Sequence, residues 1–271
     1  MNRLTKTLAD LKENNQKALV AYLVAGDPDI NSTIELMKLF VESGVDVIEI
    51  GVPFTDPIAE GPIIQKAHDR ALKNNISLES IFHMVSEFRK HDDKTPLVLM
   101  GYLNTFIFYK KLIEENKNNA IDSILVVDIP GELNLEDYGI HNSNVNTISL
   151  ISPTTKRNRI ESIAKNSTGF VYYVTLRGVT GASNLDVDEI SNNVQEIKKY
   201  ASVPTLAGFG IKSAEDAKLL AECSDGIIIG SSIVQMIEES SKLKEFDRIK
   251  EYISEIKKAI SWVFFKTYYP L

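Results

Sequence analysis

One cysteine, Cys223, stands alone in 271 residues, which excludes an internal disulfide and a thiolate zinc site. Histidine is scarce as well. His68, His83, His91 and His141 are scattered with no pair at ligand spacing, so no metal site is expected. No apolar run approaches the roughly 20 residues that span a bilayer. The opening stretch, MNRLTKTLADLKENNQK, is polar and amphipathic and lacks the apolar centre of a signal peptide. Positive charge is not in excess either: the net charge is −7, which argues against a broad nucleic-acid surface. These absences lead us to expect a reduced, cytoplasmic, metal-independent protein. They leave room for a small anion site built from backbone amides.

What the sequence does contain is short apolar runs alternating with longer helical patterns. The runs are ALVAYLV (18–24), VDVIEI (45–50), PLVLMGY (96–102), DSILVVDI (122–129), TISLI (147–151), GFVYYVT (169–175), SVPTLA (202–207) and GIIIG (226–230). Several are apolar without alternation, as parallel strands covered on both faces should be. Helical patterns lie between most of them, among them 32–44, 78–91 and 214–223. Ser32 and Ser213 stand where N-caps are wanted, and Gly44 where a helix ends. Eight strands with intervening helices fit a single (β/α)8 TIM barrel over residues 1–271, with an open doubly wound sheet as the competitor. An extra N-terminal helix over 2–15 caps the barrel bottom in this reading. The aromatic end, SWVFFKTYYPL, packs back on the barrel or on a partner.

Chemistry in such barrels sits where strands end and βα loops begin. Glu49 lies in an apolar strand near its C-terminal end. It is either a salt-bridged strand glutamate or a carboxyl whose lost hydration raises its pKa and suits it to proton transfer. The loop after it carries Asp56 and Glu60 among Pro53, Pro57 and Pro62. Prolines restrict the loop, which favours acids held in position over solvated ones, although turn or cap duty accounts for them too. In RGVTGAS (177–183), Gly178 and Gly181 allow close approach of backbone to ligand, or form an ordinary turn. Last come AGFGIKSAED (207–216) and GIIIGSSIV (226–234), each a strand end, a glycine loop and a helix start. Gly208, Gly210 and Gly230 on adjacent loops, with hydroxyls from Ser231 and Ser232, suit a phosphate on free helix amides.

These segments together resemble the family of tryptophan synthase alpha subunits, from AYLVAGDPD (21–29) to GSSIV (230–234). The strongest element is EIGVPFTDPIAEGPIIQKA (49–67). LMGYLN (99–104), VVDIP (126–130), GVTGA (178–182) and AGFGI (207–211) follow in order. The resemblance implies retro-aldol cleavage of indole-3-glycerol phosphate to indole and glyceraldehyde 3-phosphate. It implies Glu49 as proton shuttle, Glu60 as acceptor of the indole N–H, and Tyr172 beside the catalytic glutamate. Ile64 and Phe209 would line the indole pocket, and Gly181, Gly208, Gly210, Gly230 and Ser231 would hold the phosphate. Thr180 would lie in a loop that closes over the substrate. No cofactor is implied in this chain. Pyridoxal phosphate would belong to a beta subunit, the partner in an alpha-beta-beta-alpha heterotetramer, met near Pro53, Asp56 and Asn104.

Two departures from the family pattern bear on these expectations. The family reads Ala-Asp-Gly-Pro where this chain has Ala-Glu-Gly-Pro (59–62). Glutamate keeps the acid and adds about 1.5 Å of reach, and we expect the loop to be adjusted to it. The family's Asn-Pro is here Asn104-Thr105, and loss of the proline is expected to loosen that loop. The alternatives are a stand-alone indole-3-glycerol-phosphate lyase, a catalytically impaired phosphate-binding paralogue and another phosphate-binding barrel. A Schiff-base aldolase needs a lysine on a strand end, and none interrupts the predicted strands.

Overall fold

The computed structural model describes residues 2–175, 187–208, 210–241 and 245–268, with side chains as far as Ser261. Eight parallel strands close in sequence order into a barrel, β8 pairing back to β1. They are β1 (Ala18–Val24), β2 (Val47–Gly51), β3 (Leu97–Gly101), β4 (Ser123–Val126), β5 (Asn146–Ile151), β6 (Val171–Val174), β7 (Thr205–Gly208) and β8 (Gly226–Ile229). Each of the eight runs read from the sequence overlaps one strand, with β2, β5 and β7 extending one residue beyond theirs, and the closed order rules out the open sheet. Around them lie α1 (Arg3–Glu13), α2 (Ile30–Glu42), α3 (Pro62–Lys73), α4 (Leu78–Arg89), α5 (Leu103–Phe108) and α6 (Lys110–Glu115). The outer layer is completed by α7 (Arg157–Asn166), α8 (Val187–Lys198), α9 (Ala214–Cys223), α10 (Ser231–Ser240) and α11 (Asp247–Tyr268). Among the described residues no helix is long and apolar enough to cross a membrane.

Alternation along each strand divides the apolar residues into two cores. Leu19, Ala21 and Leu23 of β1 join an outer cluster against the helices, together with Ile48 and Ile50 of β2. The intervening Ala18 and Val20 join an inner cluster with Val47, Val98, Leu125 and Phe170. Leu4, Leu8 and Leu11 of α1 belong to that inner cluster, so the N-terminal helix plugs the bottom of the barrel as expected. Burying three leucines there contributes on the order of 5 kcal/mol before the entropy of ordering the helix is counted. The bottom is thereby sealed with hydrocarbon. The acidic and phenolic side chains of interest lie above that layer, toward the C-terminal ends of the strands.

Two helix ends agree with expectation and one start does not. Ser213 caps α9 through a reciprocal pair with Asp216, and Gly44 follows α2 with φ +92°. Ser32, however, is inside α2. Asp29 is the cap: its carboxylate accepts from Ser32 N and Ser32 Oγ, both at 2.8 Å. A carboxylate has two oxygens and takes both donors, so the helix starts earlier than the serine suggested. The aromatic end continues the backbone of α11 as far as Tyr268, and its side chains beyond Ser261 lie outside the described residues.

Candidate functional site

Glu49 projects into the barrel from the middle of β2 and is 1% exposed. Its Oε1 is buried with no hydrogen-bond partner among the described residues. No cation among them pairs with it. Burial, and after it the charge of Glu60, pushes its pKa up to about 8. A carboxyl of this kind holds its proton at neutral pH and releases it at little cost, the property wanted of a group that must give and take a proton.

Glu60, from the loop between β2 and α3, is also buried. Tyr102, directly after β3, donates its hydroxyl to Glu60 Oε2. The same phenol oxygen accepts from Ala59 N at 3.0 Å. Burial raises the Glu60 pKa, and the Tyr102 hydrogen bond works against that rise. The two carboxyl groups therefore differ in a useful way. Among the described residues Glu49 Oε1 has no donor to stabilise an anion, while Glu60 has the Tyr102 hydroxyl.

Tyr172, from β6, faces the barrel interior and shares the inner apolar cluster. Burial and then the Glu49 charge raise its pKa, so it remains a neutral phenol beside that carboxyl. Its hydroxyl stands 3.0 Å from where a Cβ on Gly208 would be, and Ile228 is closer still. Glycine at 208 thus leaves room that no side chain would. Ile64, on α3, packs with Tyr22 and Val24 at the same end of the barrel.

At the start of α10, Gly230 occupies the cap position, and among the described residues no side chain caps the first turn, which begins with Ser231. At the start of α9 the corresponding amide is taken by Ser213. Open amides at a helix N-terminus attract anions. Gly210 has φ +79°. Ser232 is not a free donor, because its hydroxyl is given to Ile211 O at 2.7 Å. Gly178, Thr180, Gly181 and Phe209 lie outside the described residues.

Pro53 is buried, whereas Asp56 is exposed and accepts from Thr55 Oγ1 at 2.8 Å. The prolines thus accompany one positioned acid, Glu60, and one solvated acid. Asn104 is exposed on α5. The segment at Thr105 is helical, and Thr105 N donates to Tyr102 O at 3.1 Å. A proline would lack this donor. The helix start is further held by Asp128, which accepts from Leu103 N at 2.8 Å.

Three residues of this region escaped sequence reasoning. Tyr22 and Tyr102 sit in apolar runs and read as core, and His68 reads as one of four scattered histidines. Phe54 N donates to His68 Nδ1 at 3.0 Å, and His68 Nε2 lies 3.4 Å from the Tyr22 hydroxyl. Burial pushes the His68 pKa down to about 4, so the ring is neutral at pH 7. Only the partners, 14 and 46 positions away, identify its role.

Comparison with known proteins agrees with this geometry. Residues 8–261 match the family model described as tryptophan synthase alpha chain. The chain is 41% identical over 263 residues to the tryptophan synthase alpha chain of Nitrosomonas europaea, covering 96% of each. It is 42% identical to that of Neisseria meningitidis serogroup B, covering 96% of this chain and all of the relative. Among solved structures, the tryptophan synthase subunit alpha of Legionella pneumophila superposes with a TM-score of 0.86 at 37% identity, covering 96% of this chain and 98% of the other. A chain from the tryptophan synthase α2β2 complex of Pyrococcus furiosus gives 0.79 at 35% identity, over 89% and 98%.

Proposed function

The chain belongs to the family of tryptophan synthase alpha chains, and from that premise we propose how its own residues carry out retro-aldol cleavage of indole-3-glycerol phosphate. The bond to be broken leaves its electrons on indole C3, where the aromatic ring does not accept them. Protonation at C3 converts the ring into an indolenine, an electron sink. Glu49, protonated at neutral pH because its pKa stands at about 8, supplies that proton. Its carboxylate then takes the proton of the side-chain hydroxyl. The carbon–carbon bond breaks, its electron pair restores the indole, and the hydroxyl oxygen becomes the aldehyde of glyceraldehyde 3-phosphate.

Glu60 receives the indole N–H as positive charge develops on nitrogen. Tyr102 holds Oε2. This bond also anchors the longer side chain that stands where the family has aspartate. Tyr172 shapes the wall beside Glu49. Ile64 and Phe209 line the indole pocket. The free amides of Gly230 and Ser231, with Gly181, Gly208 and Gly210, hold the phosphate, and Thr180 belongs to the loop that closes over the substrate. The observation that carries this reading is the pair of buried carboxyl groups, one without a donor and one with.

The indole passes to a beta subunit, which carries the pyridoxal phosphate; this chain works in the cytoplasm without a cofactor of its own. Support for such a partner comes from the loops near Pro53, Asp56 and Asn104, where Ile58 is 83% exposed and Phe108 78% exposed. Exposed apolar side chains of that size suit a partner surface. The test is indole release from indole-3-glycerol phosphate by the chain alone and with saturating beta subunit. Weak activity that the partner raises strongly supports the reading. Brisk activity indifferent to the partner makes the chain a stand-alone lyase, and no indole under either condition makes it a paralogue that binds without reacting.

A further inference from the structure

The proton transfers above leave Tyr22 without a task, yet the structure provides for its hydroxyl with care. In the register of β1 and β2, Tyr22 stands opposite Glu49, so both side chains face the barrel interior at the same height. The ring belongs to an apolar cluster with Val24 and Ala67, against which Ile64 and Met100 pack. The hydroxyl lies 2.1 Å from where a Cβ on Gly51 would be, so any other residue at 51 would displace it. A phenylalanine would satisfy the packing alone, and burial of a hydroxyl costs roughly 1–3 kcal/mol unless it is bonded.

His68 supplies that bond. Its Nδ1 accepts from Phe54 N at 3.0 Å, and a neutral imidazole that accepts at Nδ1 carries its proton on Nε2. Nε2–H therefore donates to the Tyr22 oxygen at 3.4 Å. Tyr22 keeps its own proton to give, and among the described residues no acceptor for it lies within hydrogen-bond distance other than the histidine that is already donating. A buried phenol with an unspent donor thus stands across the strand pair from Glu49, whose Oε1 is a buried acceptor with no partner among the described residues.

We propose that Tyr22 is a further catalytic residue, whose hydroxyl, turned inward by His68, donates to the substrate's side-chain hydroxyl oxygen. This rests on the retro-aldol reading above. As Glu49 removes the proton from that oxygen, negative charge grows on it until the carbon–carbon bond breaks and it becomes a carbonyl. A donor fixed at that atom is stronger in the transition state than in the ground state, which is the condition for accelerating the step. Tyr22 transfers no proton. Burial, then the charges of Glu60 and Glu49, raise its pKa and keep it a phenol throughout. His68 acts through Tyr22 and is a positioning residue.

The test compares the full chain, with saturating beta subunit, to Tyr22→Phe, His68→Asn, His68→Gln and the double variant Tyr22→Phe/His68→Asn. Asparagine can accept from Phe54 N in place of Nδ1 but is too short to reach Tyr22, while glutamine can reach Tyr22 in place of Nε2. The readouts are kcat and KM for indole-3-glycerol phosphate, and the Kd of an indole-3-alkyl phosphate that lacks the side-chain hydroxyls. We expect Tyr22→Phe to lower kcat about 10- to 100-fold, with KM within about 3-fold and the Kd of the hydroxyl-free ligand unchanged. His68→Asn should match it, the double variant should fall no further, and His68→Gln should stay close to the parent. A Tyr22→Phe enzyme with parental kcat overturns the proposal. So does one that loses affinity for the hydroxyl-free ligand in step with its rate, since the ring and not the hydroxyl would then be at work. A parent chain that releases no indole overturns the retro-aldol reading and this inference with it, a result read without any variant.

Discussion

Tyr102 donates its hydroxyl to Oε2 of Glu60, a residue 42 positions earlier in the chain. Its oxygen also holds Ala59 N, and its ring stacks on Phe54 with centroids 4.5 Å apart and planes within 15°. One side chain thus grips the loop between β2 and α3 at three points and fixes the second carboxyl group. Tyr102→Phe keeps the stack and deletes both hydrogen bonds. It should cost about 1–2 kcal/mol in stability and lower kcat about 10-fold or more by releasing Glu60. Thermal denaturation and steady-state indole release check the two effects separately.

Glu49→Gln should abolish the reaction, with a loss of about 1000-fold or more in kcat, while the substrate phosphate still binds. Glutamine keeps the shape but neither gives nor takes the proton. Single-turnover kinetics on the variant, with equilibrium binding of substrate, test this.

The pH dependence follows from the two carboxyl groups. Glu49 must start protonated, and its pKa stands at about 8, so kcat/KM falls as pH rises through about 8. Glu60 must start ionised, and burial raises its pKa, so the acid limb lies above the usual carboxylate value. Both limbs belong to the interacting pair. Glu60→Gln removes the neighbouring charge and should lower the pH at which the Glu49 carboxyl titrates, as followed by infrared absorption. Stability carries the same signature. An unperturbed glutamate titrates at 4.5 and Glu49 in the folded chain at about 8, so the folded state binds the extra proton between those limits. Stability therefore declines as pH rises across that window, and Glu49→Gln should flatten the decline in a denaturant titration series.

Arg70 holds Asp27 through Nε at 2.7 Å and Nη2 at 2.8 Å, with Asp27 only 2% exposed. Arg70→Ala leaves a buried carboxylate unpaired and should destabilise the protein by about 3 kcal/mol. Burial raises the Asp27 pKa and Arg70 opposes the rise, so the variant should recover part of its stability in acid. Chemical denaturation at pH 5 and pH 8 measures the difference.

Ile58→Asp and Phe108→Asp place charge at two of the exposed apolar side chains among the described residues. Each should weaken association with the beta subunit about 10-fold or more, with the chain's own slow activity within about 2-fold of the parent. Titration calorimetry against the beta subunit reads the first effect and partner-free kinetics the second.

The barrel was legible because its strands are short apolar runs and its helices carry ordinary start and stop signals. Glu49 was legible for the opposite reason, as an acid in a run that should hold none. The cap of α2 was missed because Asp29 and Ser32 both qualify and only the geometry shows the carboxylate taking the serine's donors. The helix at Asn104 was missed because a proline's absence reads as looseness. Tyr22, His68 and Tyr102 act through partners on other strands and loops, and no local pattern encodes a pairing across 42 or 46 positions.

The seam between β1 and β8, where Ala18 pairs with Gly226, bears on how the chain emerges from the ribosome. Strand β1 is synthesised directly after the helix that plugs the barrel, yet one of its two hydrogen-bonding edges waits for a segment made some two hundred residues later. At elongation rates of about 5–20 residues per second, that edge and the leucines of α1 remain without their final partners for on the order of ten seconds. The last β/α unit is thus also the clasp. Any interruption of synthesis before Gly226 yields a nascent chain with an open apolar edge, the form most in need of a chaperone.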